Sequence, residues 1–194
     1  MNIYAESSAV LAWLLGEAAG RRVREVLRHA ELVMASDVVL IECDRVLIRA
    51  VTLGEIDEAK AADRRAYLNA AASHWHLCRL SLDIVDRARH AFPAEPVRTL
   101  DAIHLASALA VRSTVPSTEL LSLDDRIRRA GEAARIPTST QVTSGGADGD
   151  ILDIQALGEP GNDQAKPLTT LPKGSVRSVR LPAGLFHPGT VDRR

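Results

Sequence analysis

Four acids stand where neither solvent nor a packed core ordinarily asks for one: Glu6, Glu42, Asp101 and Asp124. Glu6 directly follows the apolar start of the chain, in Ile-Tyr-Ala-Glu-Ser-Ser-Ala, and Asp124 follows another apolar run, in Leu-Leu-Ser-Leu-Asp-Asp. Glu42 lies inside Leu-Ile-Glu-Cys, and Asp101 opens Asp-Ala-Ile-His-Leu-Ala; both have apolar neighbours. A carboxylate against apolar surface is costly unless it is paired or bound to a metal. Carboxylates that converge also repel one another, and a hard divalent cation removes that repulsion. Mg²⁺ takes oxygen ligands, keeps several waters and is commonly held by a few carboxylates plus substrate phosphate. Such a set supports hydrolysis of phosphodiesters, by activating water and neutralising charge on the phosphate. Taken singly, each acid also has a structural reading. Glu6 suits a turn, Asp101 suits the first turn of a helix, Asp124 suits a helix cap, and Glu42 suits an ion pair with Arg45 or Arg49.

The elements that would position these acids follow from hydrophobic periodicity and punctuation. Strands are predicted over Asn2–Ala5, Leu32–Ala35, Trp75–Leu80 and Glu119–Leu123. Helices are predicted over Ala9–Leu15, ending at Gly16, and over Glu17–His29. A Ser36/Asp37 cap introduces a helix over Val38–Leu53, closed by Gly54, and Glu55–Ser73 then pairs with it as a helical hairpin. Further helices are expected over Leu82–Ala91, over Leu100 to Arg112 with Thr99 as cap, and over Asp124–Ala134. Strands separated by helices imply an α/β fold, a parallel sheet of four or five short strands with helices on both faces. In such sheets the functional crevice lies beyond the carboxyl ends of the strands. Glu6 and Asp124 each follow such an end.

Composition changes near Pro137. Residues 1–136 read as one domain; residues 137–194 are rich in Gly, Pro, Ser and Thr and read as a disordered extension, too poor in apolar surface to offset its ordering entropy. One stretch of it, Val176 to Phe186, is more apolar and carries Arg177 and Arg180, which suits docking on a surface. With 24 basic and 25 acidic residues, the net charge of −1 excludes binding to nucleic acid through bulk positive charge. An acidic metal site offsetting a basic substrate groove remains compatible with it. Aromatic residues make up only 3%, so Leu, Ile, Val and Ala must fill the core. Cys43 and Cys78 lack metal-site or redox spacing and are expected to be buried free thiols. Neither a secretory leader nor an apolar run of membrane-spanning length is visible, which predicts a cytoplasmic protein with no membrane partner.

Taken in order, the acids resemble those of the PIN-domain family, and within it the VapC-type toxins, over roughly Met1 to Ile136. The match runs through Glu6-Ser7-Ser8 after the first strand, Glu42 in the helix after the second, Asp101 to Ala106 as an unaltered Asp-Ala-Ile-His-Leu-Ala, and Ser122-Leu123-Asp124 after the last strand. The Asp101 motif is the most specific. The resemblance implies a three-layer α/β/α sandwich with a short parallel sheet. It also implies an endoribonuclease in which Glu6, Glu42, Asp101 and Asp124 bind Mg²⁺, with Mn²⁺ as a substitute. An RNA substrate, a cognate antitoxin and a homodimer come with it. The departure is Glu6, where the family has Asp. One extra methylene shifts the carboxylate, and the alternative reading is a catalytically impaired PIN-like module that binds RNA or protein.

Around these acids, Ser8 could orient Glu6 or cap the helix starting at Ala9, and capping is expected to be its main role. Ser122, two residues before Asp124, faces the same way on a strand and could support it. Asp125 competes with Asp124. His104, three residues after Asp101, is expected to be a hydrogen-bonded, partly buried histidine rather than a catalytic base. Arg45, Arg49, Arg98, Arg112 and Arg126 are candidates for phosphate contact. A phosphatase or receiver ranks lower: Lys60 is the domain's only lysine, and Glu6 is poorly placed as a nucleophile.

Overall fold

Short apolar runs alternating with helical ones sort this chain into strands that share one sheet and helices that cover it. The computed structural model describes residues 1–139 and the backbone of residues 186–188. Strands β1 (Asn2–Ala5), β2 (Leu32–Ser36), β3 (His76–Cys78) and β4 (Thr118–Leu121) are parallel and lie in the order β4-β1-β2-β3. Between them run helices α1 (Ser7–Leu15), α2 (Gly20–His29), α3 (Asp37–Thr52), α4 (Glu58–Ala72), α5 (Leu82–Ala88) and α6 (Thr99–Thr114), and α7 (Asp125–Ala133) follows β4. The free edge of β3 is paired by a fifth strand, β5 (Phe186–Pro188), which runs antiparallel.

Strand alternation divides the interior into two cores. Ile3, Ala5, Val33, Ala35, Leu77 and Leu121 face a core shared with α1 to α4, while Tyr4, Met34, Cys78 and Leu120 face one shared with α5 to α7. The result is the three-layer α/β/α sandwich expected of the sequence. The aliphatic composition is visible in both layers, where the small side chains of α1, α4 and α6 let helices lie close to the sheet. At Gly20 a Cβ would come 2.3 Å from the Ala12 carbonyl oxygen, so only glycine allows α2 to start so close to α1. The α3–α4 hairpin is tied by an Asp44–Arg65 ion pair at 3.0 Å. Cys43 and Cys78 are buried free thiols, and burial pushes both up to about 12, so they stay protonated at neutral pH.

Several boundaries shift by a few residues, each for a local reason. Helix α1 begins at Ser7 rather than Ala9, because the side chain of Glu6 accepts the Ser8 N–H and makes Glu6 the cap. Glu17 belongs to the turn after Gly16, its N–H bonded to the Ala12 carbonyl at 2.9 Å, so α2 starts at Gly20. Asp57 caps α4 through the Lys60 N–H at 2.7 Å, which excludes Glu55 from that helix. Arg98, not Thr99, occupies the cap of α6. The third strand is shorter than Trp75–Leu80, and the fourth ends at Leu121 instead of Leu123. An all-parallel sheet gains an antiparallel edge through β5.

The parallel strands place their carboxyl ends on one side. From β1 the chain moves to β2 and β3, then returns through α6 to lay β4 on the opposite side of β1. That reversal is a topological switch point, where open α/β sheets form their crevices. Glu6 leaves β1 there, its N–H donating to the Leu121 carbonyl at 3.0 Å. Pro137–Ser139 continue along β4, with Leu120 N–H bonded to the Pro137 carbonyl at 2.7 Å and Ser139 N–H to the Leu120 carbonyl at 2.9 Å. The expected disordered extension falls largely outside the described residues; of the Val176–Phe186 patch only Phe186 is described, as the start of β5. Among the described residues no helix is long and apolar enough to cross a membrane.

Candidate metal centre

Glu6 has extended backbone (φ −96°, ψ 159°) where β1 gives way to α1, and its side chain turns back over the first helical turn. The residue is 3% exposed. One carboxylate oxygen, Oε2, accepts from the Ser8 N–H at 3.1 Å, the Ser8 hydroxyl at 2.5 Å and the Ser122 hydroxyl at 2.7 Å. Ser8 Oγ in turn accepts from the Leu123 and Asp124 N–H groups at 2.9 and 3.2 Å. The two serines thus lock Glu6 and sew the loop after β4 onto α1. This corrects the capping role expected of Ser8, which orients Glu6 while Glu6 does the capping. Ser122 reaches the site without strand alternation, since the strand has already ended; it accepts the Asp124 N–H at 3.1 Å in a tight turn.

Glu42 projects from α3, two turns after β2, and meets α6 and the start of α1. Its Oε2 accepts a very short hydrogen bond from the Ser7 hydroxyl and lies 2.6 Å from His104 Nε2. Burial pushes this carboxyl up, but the His104 and Ser7 contacts outweigh it and hold Glu42 below the usual carboxylate range. Pairing with Arg45 or Arg49 does not occur; those two line a separate shallow groove with Val46, Ile48, Thr52 and Leu53. For both Glu6 and Glu42, every side-chain hydrogen bond among the described residues goes to Oε2, and Oε1 of each has none.

Asp101 and Asp124 are held differently. Asp101, in the first turn of α6, is half-buried, and its carboxylate makes no hydrogen bond among the described residues. Burial first, then the charge of Asp124, pushes it above the ordinary range, against weaker pulls from Arg126, Arg98 and His104. Asp124 caps α7: its Oδ1 accepts the Arg126 N–H at 2.8 Å, and its Oδ2 accepts from Arg126 Nη2 at 3.1 Å. These contacts with Arg126 hold Asp124 below the ordinary range. Its rival Asp125 points outward, 77% exposed at the side chain, and pairs with Arg128. Arg112 is spent on the Thr118 carbonyl at 2.6 Å.

Glu6, Glu42 and His104 each offer a ligand atom, and these atoms all lie within 4.8 Å of one another. Asp101 and Asp124 do not join that group; they feel each other's charge beside it. Sequence reasoning anticipated a hydrogen-bonded, partly buried His104, which is hydrogen-bonded and fully buried. It did not assign Ser7 or Tyr4, whose Oη lies 3.5 Å from His104 Nδ1. A signal was available for Tyr4, which lies two residues before Glu6 on an alternating strand.

A PIN-domain family model matches residues 3–133, nearly all of the domain described above. The chain belongs to the PIN-domain family. It is 34% identical over 130 residues to Ribonuclease VapC46 of Mycobacterium tuberculosis, an alignment covering 67% of this chain and 90% of that protein. Over a shorter stretch of 58 residues it is 43% identical to Ribonuclease VapC35 of Mycobacterium tuberculosis, covering 29% of this chain and 43% of that one.

Proposed function

We propose that this VapC-type protein is a divalent-metal-dependent endoribonuclease, the toxin of a toxin–antitoxin pair, with Glu6, Glu42, Asp101 and Asp124 as the residues that bind Mg²⁺ or Mn²⁺. The observation that carries the reading is the pair of carboxylates at the switch point, Glu6 buried and Glu42 half-buried, each gripped through Oε2 and each keeping Oε1 unbonded among the described residues. Neither Oε1 is sealed in the interior, so each stays accessible to an entering cation. The relatives named as ribonucleases support RNA as the substrate; a cognate antitoxin and a homodimer are part of the proposal.

When bound, the cation neutralises phosphate charge and acidifies water. Everything else is done by the chain. Ser8 and Ser122 fix Glu6, Ser7 and His104 fix Glu42, and Asp101 stands one turn before His104 on α6. Asp124 completes the rim, with Arg126 beside it as a cation able to turn toward a phosphate oxygen. The replacement of Asp by Glu6 does not favour the impaired-module reading, because Ser8 and Ser122 both bond to Oε2 at the tip of the longer side chain.

The test is cleavage of single-stranded RNA by the full chain with Mg²⁺, with Mn²⁺ and with EDTA, beside Asp101→Ala. Cleavage that requires metal and disappears in Asp101→Ala supports the proposal. Silence of the folded wild-type protein under all conditions would transfer it to a binding module.

A further inference from the structure

His104 is 1% exposed and lies one turn beyond Asp101 on α6. Its Nε2 is 2.6 Å from Glu42 Oε2 and 3.1 Å from Ser7 Oγ, and its Nδ1 is 3.5 Å from the Tyr4 hydroxyl. The proton placement follows from the partners. An ionised Glu42 only accepts, so the proton of the imidazole must sit on Nε2 and point at Oε2. The contacts Tyr4–His104–Glu42 link β1, α6 and α3. With Nε2–H directed at Glu42, that nitrogen has no lone pair for a cation.

We propose that His104 is a positioning residue of the metal centre, which grips Glu42 through Oε2 so that Oε1 is presented to the cation, and that it is not itself a ligand. The inference rests on the proposed metal-dependent reading and adds a division of labour within it. Although Glu6, Glu42 and His104 are close enough for all three to ligate, the direction of the Nε2–H excludes the histidine from that set. Ser7, donating to the same oxygen, forms the second half of the grip. The carboxylate–histidine pairing common around metals is inverted here: the histidine steadies the carboxylate.

The test is Mn²⁺ affinity of the full chain, read from the free-ion electron paramagnetic resonance signal, for wild type, His104→Gln, His104→Ala and Glu42→Gln. Pulsed spectra of Mn²⁺ bound to the wild type accompany the titration. Gln keeps an N–H donor near the Nε2 position but no imidazole. Expected are wild-type-like binding by His104→Gln, a loss of about 10–100-fold in His104→Ala as for other groups that orient metal ligands, and no nitrogen coupling in the wild-type spectrum. Directly coordinated ¹⁴N in that spectrum, with His104→Gln as weak as His104→Ala, would make His104 a ligand and overturn the proposal. Unchanged Mn²⁺ affinity in folded His104→Ala would reduce it to a packing residue. Absence of Mn²⁺ binding by the wild type would instead refute the metal centre itself, and this inference with it. Should His104→Ala not fold, the Gln variant and the wild-type spectrum still decide.

Discussion

The inner and outer halves of the acidic crevice are built on opposite principles. Inside, Glu6 and Glu42 are buried or half-buried and tied to serines and a histidine before any ion arrives. Outside, Asp101 makes no hydrogen bond among the described residues and is raised by burial and by Asp124, while Asp124 is drawn to Arg126. The inner half is preorganised by the protein, so a cation would find its oxygens already placed. The outer half holds unrelieved repulsion, and its final geometry is left to whatever positive charge enters. Preorganised dipoles cost no reorganisation at the moment of reaction. The outer acids, by contrast, couple the site to occupancy.

The largest expected effect should appear in both halves alike. Glu6→Ala and Asp101→Ala should each lower metal-dependent RNA cleavage by about 10²–10³-fold, the range seen when one stabilising group is removed. Stability should separate them: Glu6→Ala strands the Ser8 and Ser122 hydroxyls and should cost about 1–3 kcal/mol in denaturant melts. Asp101→Ala should not. Equal destabilisation by the two would erase the distinction between the halves.

A smaller effect is expected from the supports. Ser122→Ala removes one donor from Glu6 and should weaken Mn²⁺ binding by about 10–100-fold with the fold intact. Glu6→Asp shortens the side chain by one bond, about 1.5 Å, which withdraws the carboxylate from Ser122. A loss of metal affinity is expected from it, measured by the same titration, and a gain would mean that the serines do not set the position of Glu6.

The smallest effect sharpens the outer half. Because Asp101 is raised in the folded state, its ionisation opposes folding. Its contribution is fully favourable below the unfolded carboxylate range and is lost as pH rises through the higher folded value. In EDTA, Asp101→Asn should therefore melt slightly above wild type at neutral pH, with the difference vanishing in acid. Divalent metal should reverse the order by stabilising wild type more. A variant that melts lower than wild type in EDTA at neutral pH would show that Asp101 is not repelled.

Much of this was legible in the chain itself. Period-2 apolar runs, helical periodicity and glycine stops determine which residues become strands and helices, and the order of those elements makes β1 to β4 parallel. The positions of Glu6 and Asp124 after apolar runs pointed to the carboxyl edge before any geometry was known. Helix starts were less legible, because capping by Glu6 or Asp57 depends on where a side chain turns rather than on residue type alone. The identity of each carboxylate's partner was not legible at all. Glu42 has two arginines within helical reach in sequence, Arg45 and Arg49, yet it bonds to Ser7 and to His104, 62 positions away. The antiparallel β5 pairs residues more than a hundred positions apart. Local periodicity is set by backbone geometry and so is written along the chain. Which oxygen is gripped, and which is left for a cation, depends on side chains from β1, α1, α3 and α6 meeting in space, and only the tertiary structure decides that.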